Sequence, residues 1–339
     1  MSATTATQVT PERIMQFAWG YAAPLVLEAA IRHRVFDLLD SGPKSLEEMQ
    51  AATGASARGL AAIANMLVGM NFLAKDEGGQ YSLTPESAAF LVRSKPSFMG
   101  GLILHTSGQT LPKWLKLNEV VESGKPAALV NQEDEGGTFF EQFVVDIFPT
   151  SYPSAKVLAR SFDLSSATDP ISVLDLAAGS GVWGIALAQC SPQVHVTAVD
   201  WPVVLPVTEK TVAKFGLSGQ FTFSAGDLLS ADFGTGHNIA TLGHILHSEG
   251  EARSRTLLSK TFDAMASGGT IAIAEFLVNK DRTGPLNALI FAVNMLVHTE
   301  HGDTWSFEEI SSWLADAGFV NPRKLDSPGP SPLILANRP

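Results

Sequence analysis

Cysteine is almost missing from this 339-residue chain: Cys190 stands alone, so no intrachain disulfide forms and no thiolate cluster can hold a metal. Charge is scarce as well, at 17% of residues, and unbalanced, with 23 Lys and Arg against 34 Asp and Glu for a net charge of -11. A field of that sign repels phosphate backbones, which excludes nucleic acid as the main partner unless a basic patch overrides it, and none is visible. The opening residues, Met-Ser-Ala-Thr-Thr-Ala-Thr-Gln, lack the basic start and apolar core of a secretory signal. The longest strongly apolar stretch, around Leu286 to Val297, is interrupted by Asn287 and Asn294 and is too short to span a bilayer. What remains is a soluble, cytoplasmic enzyme with no membrane partner, 45% apolar and long enough for two domains.

The N-terminal region reads as helices followed by a small hairpin. Ile14, Phe17, Ala18, Tyr21 and Leu25 form one helical face that Pro24 should kink or divide. Ser45-Leu-Glu-Glu48 has the spacing of a capping box, and Leu60, Ile63, Leu67 and Met70 mark a further helical stripe. Phe72 to Ala74 and Tyr81 to Leu83 flank the turn Asp76-Glu-Gly-Gly79. Helix, helix and two-stranded wing make a winged-helix pattern. Between Lys44 and Arg93 there are four basic and five acidic residues, so DNA binding is poorly served and a structural or dimerising role fits better.

Residues 101–165 read as a helical connecting and pocket-lining segment, after a winged region over 1–100 and before a catalytic domain over 166–339. In that last part, strands near 172–177, 194–199, 220–224, 238–243 and 270–276 alternate with helical stretches, which predicts a doubly wound, mainly parallel sheet. Two final strands, Phe319 to Leu325 and Pro332 to Asn337, are joined by a loop too short for a crossover helix, so they must run antiparallel.

The first strand of this sheet empties into Gly179-x-Gly181-x-x-Gly184, where glycines permit a tight turn and close backbone approach to a nucleotide cofactor. Three glycines alone suit NAD equally well. Asp175 lies in the strand just before the loop, Asp200 ends the second strand and Asp227 follows the third in Gly226-Asp227-Leu228. A carboxylate at 175 would repel a pyrophosphate but favour an ammonium or sulfonium, Asp200 can accept two ribose hydroxyls, and Asp227 can accept an exocyclic adenine amine while Leu228 packs on the ring. Three acids on successive strand ends favour an aminoacyl nucleoside cation over NAD.

On these elements, together with the blocks Leu246-His247-Ser-Glu-Gly-Glu251 and Gly268-Gly-Thr-Ile-Ala-Ile-Ala-Glu275, the chain resembles the class I S-adenosylmethionine-dependent O-methyltransferases of the plant and bacterial small-molecule type. The resemblance implies an α/β, Rossmann-like methyltransferase sheet with a terminal antiparallel hairpin and a mainly helical winged N-terminal domain that makes a homodimer and helps cover the partner's substrate pocket. It implies S-adenosyl-L-methionine as cofactor, held by Asp175, Gly179, Gly181, Asp200, Asp227 and Leu228, and no metal. It further implies His247 as the base that takes the proton of a hydroxyl on a small aromatic or polyketide-like acceptor, Glu275 as the carboxylate that orients it, and Phe291, Asn294, Met295 and His298 as pocket residues. Trp183 is a further candidate for shaping that cavity, or for packing the glycine-loop helix. His237 and His244 carry the bland reading of satisfied structural or surface histidines. The chain departs from the family pattern at Ser248-Glu249, where Asp-Trp is usual, at Gly243, where Lys is common, and near Thr304-Trp305-Ser306, where a second carboxylate is replaced, with Asp303 as a candidate substitute. An N- or S-methyltransferase of the same fold, an NAD-dependent oxidoreductase and a winged-helix regulator stay open as alternatives.

Overall fold

A computed structural model describes residues 9–329 and 331–339. The chain divides into a first compact unit that ends at Gly108 and a second that runs from Gln109 to Pro339. The segment read as 101–165 is helical, and its larger part, from Gln109 onward, belongs to the second unit.

In the first unit the helix Leu46–Thr53 starts on the expected capping box, with Ser45 accepting from the Glu48 N–H and Glu48 accepting from the Ser45 N–H. Helix Ala57–Gly69 follows, then the antiparallel strands β1 (Leu73–Lys75) and β2 (Tyr81–Leu83). Ile31, Phe36, Met49, Leu60, Leu67 and Tyr81 close the core, and the Tyr81 hydroxyl, which cannot be buried unpaired, donates to Asn65 Oδ1 at 2.8 Å.

The expected apolar stretch forms the helix Leu286–His298, and a second segment, Glu12–Arg32, holds an 18-residue window of mean hydropathy 1.3, long and apolar enough to cross a membrane by length and composition alone. It divides at Trp19–Tyr21 into the helices Glu12–Ala18 and Ala22–Arg32, five residues before the expected break at Pro24 in chain terms at its start. Pro24 instead sits in the first turn of the second helix, where a missing N–H costs nothing.

The second unit is a seven-stranded sheet of order β5-β4-β3-β6-β7-β9-β8. Its strands are β3 (Ile171–Leu176), β4 (Val194–Asp200), β5 (Phe221–Ala225), β6 (His237–Gly243), β7 (Met265–Ala274), β8 (Val320–Leu325) and β9 (Leu333–Asn337). β3 to β7 are parallel, and β9 enters antiparallel between β7 and β8. Apolar residues alternate between two cores. Leu174 and Leu176 face helices Leu246–Ala264 and Phe307–Asp316, whereas Val173 faces Val182–Ala188. The strand order reverses between β3 and β6, and that reversal opens a crevice at their carboxyl ends, where Gly179 and His247 both lie.

Candidate active site

The loop after β3 is bent by three left-handed residues, Ala177 at φ 51°, Gly179 at 56° and Gly181 at 74°, the last capping helix Val182–Ala188. Gly184 answers to a different need. A Cβ there would lie 2.8 Å from Val196 Cγ1 and 3.0 Å from Asp175 Oδ2, so only glycine lets the helix lie this close to the strands.

Asp175 is wholly buried under that helix. One carboxylate oxygen accepts the Gly184 N–H at 3.0 Å, and the other accepts the Thr241 hydroxyl at 2.7 Å from the neighbouring strand. Burial pushes its pKa up to about 7 against the pull of both hydrogen bonds. The expected direct contact with a cationic ligand is therefore corrected: residue 175 shares its face with Val173, toward the helix, and its carboxyl fastens the loop from beneath.

Asp200 ends β4 with one oxygen on the Gly179 N–H and the other on the Trp201 N–H, both at 2.7 Å. Burial raises its pKa to about 6. Each oxygen keeps a lone pair for a further donor, so this carboxylate ties the ends of two strands together without exhausting its acceptor capacity. Asp227 accepts the Leu229 N–H at 2.9 Å and pairs with Arg253 at 2.8 Å, and Arg253 also binds Glu249 at 2.6 Å. Glu249 is buried, which raises its pKa despite that partner. Leu228 packs into the core beside Leu174 and Leu242.

His247 opens helix Leu246–Ala264, and Glu275 follows β7. Glu275 Oε2 lies 2.9 Å from His247 Nδ1, and Oε1 accepts the His247 backbone N–H at 3.2 Å. Burial works against the Glu275 charge, but the nearby imidazole and these hydrogen bonds outweigh it and hold the carboxyl below its usual pKa. A carboxylate can only accept, so Nδ1 carries hydrogen, and in the neutral ring Nε2 is the nitrogen with the lone pair. Asp303 does not act as a second carboxylate here. Its side chain turns to Arg282 at 3.2 Å, and only its backbone N–H reaches the His247 carbonyl, at 2.9 Å.

Of the four expected pocket residues on helix Leu286–His298, Phe291 meets His247 edge-on with centroids 4.8 Å apart and stacks on Phe276 at 4.0 Å. Asn294 accepts the Trp114 indole N–H at 2.8 Å, and His298 Nδ1 donates to the Asn294 carbonyl at 2.9 Å. Met295 is buried, packed against the turn at Gly302. Trp183 packs in the core under the loop, and Gly243 is its counterpart, since a Cβ there would run into the indole. That explains why no lysine stands at 243. His237 is satisfied as expected, by Ser172 Oγ at 2.9 Å and the Phe233 carbonyl at 2.6 Å. His244 is not: among the described residues it makes no side-chain hydrogen bond.

A doubly wound sheet with acids at successive strand ends and a backed histidine beside the switch point defines a nucleotide-cofactor domain of the methyltransferase class. Residues 126–320 match the O-methyltransferase domain family, and residues 15–93 match the O-methyltransferase dimerisation domain. The chain is 30% identical to 3-hydroxy-5-methyl-1-naphthoate 3-O-methyltransferase of Streptomyces sahachiroi over 96% of this chain and 94% of the relative. It is 24% identical to the tetracenomycin polyketide synthesis 8-O-methyl transferase TcmO of Streptomyces glaucescens over 97% of both. The structure of human N-acetylserotonin methyltransferase in complex with SAM shares the fold, with a TM-score of 0.84, 23% identity and 99% of both chains covered. The chain belongs to the O-methyltransferase family, and S-adenosylmethionine is its methyl donor.

Proposed function

We propose that the second unit methylates a hydroxyl on a small aromatic or polyketide-like molecule, with His247 as general base. The observation that carries this reading is the His247–Glu275 pair at 2.9 Å, which leaves Nε2 as the free, proton-accepting nitrogen beside the stacked rings of Phe276 and Phe291. The relatives named for naphthoate and polyketide O-methylation support the acceptor class.

S-adenosylmethionine supplies an electrophilic methyl carbon on a sulfonium. The residues present suit it: Asp200 offers acceptor sites for ribose hydroxyls, Asp227 keeps acceptor lone pairs for the adenine amine while Leu228 stays in the core, and the loop leaves Ala177 and Gly179 partly accessible after β3. We assign Asp175 the task of fixing that loop. As the acceptor oxygen forms its bond to the methyl carbon, the carbon–sulfur bond breaks with its electron pair left on the neutral thioether; the hydroxyl proton passes to His247 Nε2, and Glu275 stabilises the resulting imidazolium. Positioning does much of the remaining work, since in-line displacement needs the nucleophile held against the methyl carbon. Phe291 gives a flat acceptor an apolar wall, and Asn294 and His298 complete that face of the helix.

We infer further that the protein is a homodimer joined through its first unit, whose apolar helices carry the exposed side chains Ile14, Phe17, Trp19 and Tyr21. The site assignment is tested by methyl transfer to simple naphthols with S-adenosylmethionine. Full turnover by His247→Ala would remove the base from this reading.

A further inference from the structure

His244, His247 and His298 belong to the carboxyl-end side of the sheet and the helix beside it, His237 to the amino end of β6, and all but His244 have side-chain hydrogen-bond partners. His237 uses both ring nitrogens, while His247 and His298 each have Nδ1 engaged, by Glu275 and by the Asn294 carbonyl. His244 has none among the described residues, yet its nitrogens are not sealed off, because the ring keeps part of its surface accessible. A half-buried imidazole without a hydrogen-bond partner among the described residues keeps both nitrogens available to a ligand.

Its backbone is costly to hold. His244 adopts φ 65°, a left-handed conformation uncommon for residues with a Cβ, while its N–H keeps the ladder going by donating to the Ala274 carbonyl at 2.9 Å. Strain of this kind persists where surrounding structure dictates it, and it gathers at functional sites. The result is a ring placed directly after β6, at the strand reversal, with its centroid 6.5 Å from His247, 6.3 Å from Trp183 and 5.3 Å from Phe276.

We propose that His244 positions the acceptor, by a hydrogen bond to a second oxygen substituent that neighbours the hydroxyl undergoing methylation. This rests on the reading of His247 as base. The two imidazoles have centroids 6.5 Å apart and are tilted by 51°, a separation that lets groups bonded to each be adjacent substituents of one flat ring. The stacked Phe276 and Phe291 supply an apolar surface for that ring. Burial, reinforced by the neighbouring His247, lowers the His244 pKa to about 4 and outweighs the attraction of Glu275. The ring is thus neutral at physiological pH, presents one donor and one acceptor, and adds no positive charge beside a sulfonium.

The test uses the full chain with S-adenosylmethionine and two probes, 2-naphthol and 2,3-dihydroxynaphthalene. Two variants suit the backbone: His244→Gly removes the ring and relaxes the left-handed φ, and His244→Asn tolerates that φ while restoring a hydrogen-bonding group. Wild type should favour the diol in kcat/KM by roughly tenfold beyond its twofold statistical advantage, the factor expected of one hydrogen bond. His244→Gly should lose about that preference, mainly through KM, and His244→Asn should regain part of it. Equal losses on both probes, or an unchanged preference in His244→Gly, would overturn the role of His244 alone. If S-adenosylhomocysteine binds but wild type methylates neither probe, the acceptor class fails and this proposal fails with it.

Discussion

His247 and Glu275 divide one task, and substitutions can separate their shares. His247→Ala removes the only free imidazole lone pair that the Glu275 carboxylate backs, so turnover should fall by about 10²- to 10⁴-fold. Calorimetry should find S-adenosylhomocysteine affinity retained, because the acids assigned to the cofactor, Asp200 and Asp227, lie at the end of β4 and in the loop after β5. Glu275→Gln keeps the size and can still accept from Nδ1, but it removes the charge that stabilises the imidazolium. Its kcat should fall by roughly tenfold to a hundredfold with little change in KM, and a fall confined to KM would contradict an orienting role. Asp175 yields a pH signature instead. Its folded pKa, about 7, stands above the 3.8 of an ordinary aspartate, so the folded state holds a proton that the unfolded chain has lost. Stability from this group is fully present below the unfolded pKa and declines as pH rises through the folded value, between about pH 4 and pH 7. Asp175→Asn cannot ionise, so the difference in Tm between wild type and variant should drift in favour of the variant across that window. A constant difference would mean that the carboxyl ionises as freely inside the protein as outside.

At the scale of elements, the helix Val182–Ala188 shows how tightly the loop is specified. Gly184→Ala must push its new methyl against Val196 or Asp175, and overpacking of that kind costs about 1–3 kcal/mol. The expected result is a lower Tm together with weaker S-adenosylhomocysteine binding, because the displaced helix carries the loop with it; a lower Tm with unchanged affinity would uncouple the two. Much of this architecture was legible in the sequence. Strand positions followed from apolar runs bounded by turn residues, the Ser45 cap from its Glu three residues on, and the antiparallel end of the sheet from a loop too short to cross over. Facing and register were less legible. Asp175 reads as a mouth-of-site acid until β6 brings Thr241 beside it and the strand parity turns its carboxyl toward Gly184. His244 reads as a satisfied histidine because a positive φ at a residue with a Cβ leaves no mark in composition or periodicity. β7 begins at Met265, earlier than its apolar run suggests, because a register shift between His237 and Ile239 and the left-handed Gly268 let polar residues join the strand.

At the scale of the whole molecule, the feature that calls for a partner is the helical segment Glu12–Arg32. Phe17 is 68% exposed and Trp19 67%, and Ile14, Met15 and Tyr21 are exposed beside them. Singly exposed apolar residues are ordinary, but a run of large ones on a single short segment marks an interface. Its composition would also suit a lipid surface, which is the reading to be separated from a protein partner. The dimerisation family spans 15–93 and so includes most of this segment, which favours a second copy of the chain as the cover. Symmetry makes the expected effect of substitution large, since each change enters a two-fold interface twice. Phe17→Glu with Trp19→Glu should convert a particle of twice 36.0 kDa to one of 36.0 kDa by light scattering after size exclusion. Buried charge without a partner is what drives the separation. Wild type that runs at 36.0 kDa at micromolar concentration would remove the dimer from this account. Flotation of wild type with neutral phospholipid vesicles, abolished by the same pair of substitutions, would assign the face to a membrane instead.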